Sequence, residues 1–240
     1  MQNTKAILLT IVKFFVILGL IASIYRMYAL SIVYLTPPFP TNIDFLAFKE
    51  AEIEIQYWKI AFYIHISTSV IALATGITQF SRSLLLSYPN IHRWSGRIYS
   101  FLVLFLAAPT GLIMGFHGEG GIFAQIAFIC QALAWWWLTY KGFTTIKKGQ
   151  IREHLAYMIR SYAVAMSAIT LRLMTFFVVY LRDWFGWYCF AGTSPTFFCH
   201  PNFYIFVAWS SWIFNWLLAE LLLWLGLAKY YLPKGKLADN

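Results

Sequence analysis

Charged side chains are scarce in this chain. Asp, Glu, Lys and Arg supply 11% of its 240 residues, against about 25% in soluble domains. Hydrophobic residues make up 60% and aromatic ones 20%. That balance excludes an ordinary soluble domain and points to the membrane class. Acidic residues are the scarcer sign, 9 against 18 basic ones, for a net charge of +9. A nucleic-acid binder would gather such a surplus on one solvated face. Here it lies in short runs between apolar segments, so no nucleic-acid partner is expected. Nucleophile elbow, phosphate loop, HExxH zinc pattern and CxxCH haem-attachment signal are all missing. Hydrolysis and covalently attached haem therefore have no candidate residues. Of only 3 cysteines, none has the paired spacing of a zinc site.

What the chain does have is six apolar segments, each long enough for the ~20 helical residues that cross a bilayer core. They lie near 8–32, 59–80, 97–116, 121–140, 156–181 and 203–228. The expected fold is all-α, a polytopic helical bundle with six transmembrane helices forming one membrane domain over 1–240. The first segment exceeds the roughly 7–15 residues of a signal-peptide core, and no small-residue cleavage site follows, so it reads as a retained anchor. If the N-terminus is cytoplasmic, every Lys and Arg falls on or near that side except Arg26, Lys49, Lys59, Arg172 and Arg182. The positive-inside rule then makes both termini cytoplasmic. Cys189 and Cys199 share the last external loop, about 182–202. Thiols on an oxidising face can form a disulfide when the backbone brings them within reach, and two unpaired thiols are the alternative.

Ionisable groups in or beside apolar segments are costly and usually face protein, water or a cofactor. On the cytoplasmic side these are Gln79 at the end of the second segment, then His92 and Arg97, then His154 and Arg160. "HRWSGRIY" and "HLAYMIRSY" echo each other, each with a His followed by Arg-x-Tyr about two turns deeper; the second ends in Tyr162. His65 and His117 lie toward the external side, offset by roughly 9 Å in depth at 1.5 Å per residue. Arg172 and Glu220 sit deepest, and a mutual ion pair or a proton or substrate path would account for both.

Three readings compete for the cytoplasmic cluster. Non-covalent b-type haem would take iron ligation from His92 and His154, with Arg97 and Arg160 meeting its carboxylates. A lipid, quinone or anion site would instead use the positive ends of two helices together with the same Arg residues. Alternatively the basic residues set topology and the His and Trp anchor the interface. His65 and His117 would form a second, less well matched haem pair.

The stretch from His65 through Gln79-Phe80, "HRWSGRIY" and "REHLAYMIRSYAVAMSAITLR" resembles the bacterial membrane proteins grouped as domain of unknown function 2306, over about residues 60–180. That family has no settled activity. Its core is similar in outline to two-haem cytochrome b561-like proteins. The resemblance implies a multi-pass protein of a bacterial inner membrane. Membrane electron transfer through haem b, with quinone or another membrane subunit as partner, is the leading expectation. An accessory subunit binding lipid or anion comes next, and a small transporter third.

Overall fold

The computed structural model describes residues 2–186 and 202–231, whose regular structure is helical. Without water in the bilayer core, a spanning segment must satisfy its own backbone N–H and C=O groups, and a helix does so internally. α1 (Gln2–Leu35) leads into a connection holding two short helices, α2 (Asp44–Ala47) and α3 (Glu50–Ile53). α4 (Gln56–Thr78) returns across, and the short α5 (Arg82–Ser87) precedes α6 (Pro89–Leu102). A π-turn, Val103–Ala107, joins α6 to α7 (Ala108–Gly115). Then come α8 (Ile122–Lys147), α9 (Ile151–Ala165), α10 (Ser167–Phe185), α11 (Asn202–Trp224) and α12 (Leu227–Tyr231). Among the described residues six helical stretches are long and apolar enough to cross a membrane, with α6–α7 and α9–α10 each counting as one.

Two spans start earlier than hydropathy suggests, at Pro89 rather than 97 and at Ile151 rather than 156. Pro89 occupies the first helical turn, where its fixed φ suits a helix and its missing N–H costs nothing. The His- and Arg-bearing residues thus form the opening turns of these helices. Cys189 and Cys199, the expected disulfide, lie outside the described residues. Cys130 in α8 is a free, partly buried thiol.

The π-turn has a local cause and a remedy. The Ala108 N–H bonds the Val103 carbonyl, five residues back. In that register the next donor would come from Pro109, which has no N–H. The Leu104 carbonyl is met instead by the Trp136 indole N–H from α8, at 3.0 Å.

α8 packs chiefly on α9 and α7, α4 on α6 and α7, α1 mainly on α4, and α11 on α8, α9 and α10. Ala124 and Ala127 on α8 and Ala208 on α11 are fully buried together, and such small residues let backbones approach closely. At mid-depth, polar side chains tie three helices. Tyr99 Oη and Ser161 Oγ lie 2.7 Å apart, Ser161 Oγ and Thr139 Oγ1 2.7 Å apart, and Trp135 Nε1 donates to Tyr99 Oη at 3.0 Å. All four are buried. The Tyr162 hydroxyl donates to the Leu73 carbonyl at 3.0 Å, and its ring lies against Gly76, where a Cβ would collide with it. The bundle has two ends. One carries Gln79 with the α4–α5 and α8–α9 connections; the other carries Lys49 with the α1–α4 and α7–α8 connections.

Candidate functional site

The residues expected to form one site at the Gln79 end have separate local partners. Gln79 Nε2 donates to Ser95 Oγ at 2.5 Å and to the His92 carbonyl at 3.2 Å, fastening α4 to α6. Arg97 is exposed, its guanidinium 5.4 Å from the Trp94 ring centroid. Arg160 makes a bidentate pair with Glu220, at 2.6 and 2.8 Å, and Trp216 Nε1 donates to the same carboxylate at 2.8 Å. Tyr162 is the brace to Leu73 already described. His92 and His154 lie in the opening turns of α6 and α9, at the same end of the bundle. His154 Nδ1 lies 2.7 Å from the Gly142 carbonyl, whereas His92 Nδ1 is buried without a partner.

The Arg172–Glu220 ion pair expected from the sequence is not formed. Arg160 and Arg172 are 12 positions apart, about 18 Å along a helix, and Glu220 on α11 meets only the nearer one. Arg172 is left with the Ala168 carbonyl of its own α10, at 3.0 Å from Nη1. Among the described residues no carboxylate pairs with it.

Arg172 lines a cavity of about 550 Å³ at the other end, one bordered by none of Gln79, His92, Arg97, His154, Arg160 or Tyr162. That volume suits a small-molecule site, commonly ~300–1,000 Å³. One wall comes from α4, where Trp58, Phe62, His65, Ser69 and Leu73 follow at helical spacing. The floor is apolar, with Leu73, Trp135, Val164 and Ala165. At 1.5 Å per residue the Arg172 backbone stands about 12 Å above Val164, and its guanidinium reaches back from there to the Ala168 carbonyl. Arg172 keeps some accessible surface because it borders this space.

His65 projects from α4 within electrostatic reach of Arg172. Its Nδ1 is 2.8 Å from the Ala107 carbonyl at the end of the π-turn. A carbonyl only accepts, so Nδ1 carries the proton, and in the neutral form of the ring Nε2 then presents a lone pair. Nε2 has only a long contact, 3.4 Å, to Ser69 Oγ. The ring lies against Gly111, where a Cβ would sit 2.9 Å from Cε1.

The outer rim is held by Lys49, which is 2% exposed. Its Nζ contacts Glu119 at 2.6 Å, Glu52 at 2.9 Å and the His117 carbonyl at 2.6 Å. The His117 ring pairs with the Tyr57 hydroxyl at 3.0 Å. One ammonium between two carboxylates clasps the α3 segment to the α7–α8 loop. Gly120 and Gly121, both at positive φ, turn that loop into α8. Burial pushes the Glu52 carboxyl up, but its hydrogen bond and charge interaction with Lys49 prevail, holding it below its ordinary value.

The sequence singled out His65, His117 and Arg172 for this end of the molecule but missed Lys49 as a buried group, together with Gln131 and the Tyr99–Ser161–Thr139 ties. Gln131 Nε2 donates to Ser167 Oγ at 2.6 Å and leaves Oε1 buried without a partner beside the cavity. A polar residue recurring within apolar helices, as Gln131, Thr139 and Ser161 do, was the available signal. Among the described residues no three His, Cys, Asp or Glu cluster as metal ligands.

Comparison with known proteins agrees with this multi-pass membrane architecture. No curated protein and no solved structure matches the chain. A family model does, over residues 62–223, taking in the cavity's α4, α7, α8 and α10 walls, and the chain belongs to that family, the predicted membrane proteins DUF2306.

Proposed function

We propose that this protein binds an anionic amphiphile, a molecule with an apolar body and a carboxylate or phosphate head, inside the membrane-embedded cavity. One observation carries the reading. Arg172 is a guanidinium within a spanning helix, with no carboxylate partner among the described residues, on the wall of a largely apolar cavity. An arginine at bilayer depth costs about 2.5–3.5 kcal/mol even on the lenient insertion scale. An anionic head at the guanidinium would offset that cost, while the apolar body filled the floor between Trp135 and Val164. The protein would then act as a binding or accessory subunit. The Lys and Arg distribution supports cytoplasmic termini, which puts the cavity in the outer half, and the family resemblance supports a bacterial inner membrane.

A second reading rests on His65. A haem is itself an anionic, mostly apolar molecule, and the Nε2 lone pair beside the cavity is what an iron ligand requires. In this reading His65 rather than His92 or His154 would hold the iron, Arg172 would meet a propionate, and the protein would serve membrane electron transfer.

The two are separated on the detergent-purified protein. Radiolabelled oleate should bind the wild type, and Arg172→Ala should weaken binding at least tenfold, with Arg172→Lys retaining more than Arg172→Ala. Equal affinity in all three proteins refutes the amphiphile reading. A Soret band after expression with ample haem, lost in His65→Ala, selects haem; its absence removes that reading.

A further inference from the structure

Resting on the amphiphile reading, we infer that the ligand enters sideways from the lipid, through a portal between α1 and α10 at Phe176, and that its source is the membrane rather than water. Of the residues lining the cavity, only Phe45 and Phe176 are exposed, at 38% and 68%. These are the two places where the lining reaches the surface, and so the two candidate outlets.

The Phe45 outlet faces the aqueous connection and is shut. Phe45 stacks on Trp58 and Phe62, with ring centroids 6.5 and 6.0 Å away, and its backbone N–H is held by the Tyr34 hydroxyl at 3.2 Å. Beside it stands the Lys49 clasp, whose two carboxylates outnumber its one ammonium. An anionic head arriving from water would meet that negative surplus before reaching Arg172.

The Phe176 outlet is different in kind. It lies inside the apolar span, one turn beyond Arg172 on the same face of α10. α1 faces it with Met27, Leu30 and Ser31, and α1 packs mainly on α4 and only sparsely on α10. The described ring contacts give Phe176 no aromatic partner, so its side chain can swing without breaking a stack. An amphiphile in the bilayer could pass its head inward past Phe176 to the guanidinium, which lies toward the Ala168 carbonyl, with its chain still in lipid.

The test uses the full-length protein in phospholipid vesicles and cis-parinaric acid, a fluorescent fatty acid, with association and dissociation followed by stopped flow. Phe176→Ala should raise both rates severalfold and Phe176→Trp should lower both. The association rate should follow the amount of probe per lipid, not its aqueous concentration. The opposite pattern overturns the portal: Phe176 variants without kinetic effect, and Glu119→Gln, which loosens the clasp, accelerating entry. Absence of equilibrium binding in every protein overturns the amphiphile reading itself, and the portal with it.

Discussion

Replacing Ser161 with alanine should destabilise the bundle by about 2–4 kcal/mol. Ser161 is 0% exposed and touches Tyr99 on α6 and Thr139 on α8, each at 2.7 Å. Interhelical hydrogen bonds within membranes average about 0.6 kcal/mol, so losing two removes ~1.2 kcal/mol. The Thr139 hydroxyl still donates to the Trp135 carbonyl at 2.8 Å. The Tyr99 hydroxyl keeps the Trp135 N–H as donor but loses the acceptor for its own proton, and an orphaned buried donor costs about 1–3 kcal/mol. Tyr99→Phe should cost a similar amount, since it strands the Trp135 N–H. The double variant removes the orphan created by Ser161→Ala, so its loss should fall about 1 kcal/mol short of the sum. The assay is reversible unfolding of the purified protein in mixed micelles with increasing SDS, read by tryptophan fluorescence. A Ser161→Ala protein within 0.3 kcal/mol of wild type, or strict additivity in the double variant, would refute the reasoning.

Trp136→Phe should leave the Leu104 carbonyl without a donor and cost about 1 kcal/mol in the same assay; Pro109→Ala, which supplies an amide in that register, should recover part of it, and no recovery would dispose of the register argument. The clasp should also weaken in acid. The folded Glu52 carboxyl titrates below its ordinary value, so its contribution is present above the ordinary range and lost as pH falls through the lowered value. Amide exchange in residues 44–55 and 116–121 should therefore quicken, beyond its intrinsic pH dependence, on acidification below about pH 4. Glu52→Gln should abolish that excess, and a change that persists in the variant would assign it to another group.

The six spans were legible because hydropathy averaged over ~20 residues reports the bilayer directly. The same averaging starts two apolar segments late, at 97 and 156, because His and Arg lower the mean where the backbone is already helical from Pro89 and Ile151. The break between α9 and α10 at Met166 has no Gly or Pro to announce it. Arg172 stood out as costly, but its counter-charge did not follow, because distance along α9–α10 decides which arginine Glu220 can reach. Lys49 looked like a solvated charge beside acidic neighbours. Only the meeting of α3 with a loop some 70 positions later buries it, and no local pattern encodes that contact. The "HRWSGRIY" and "IRSY" elements drew notice for their His and Arg. Their best-buried polar members are Tyr99, Ser161 and Tyr162, which hold helices together.

The π-turn at Val103–Ala107 acts as an index for everything after it. It accommodates one residue more than an α-helix of the same length, and each residue turns the helix face by about 100°. Winding the same residues as a plain α-helix would turn Gly111 off the His65 ring and bring a side-chain-bearing position onto it. Deleting a single residue between 103 and 107 would instead restore regular hydrogen bonding and leave Gly111 in place. The same deletion between 108 and 110 would turn the cavity wall by about 100°, and the hydropathy profile would scarcely tell the two apart.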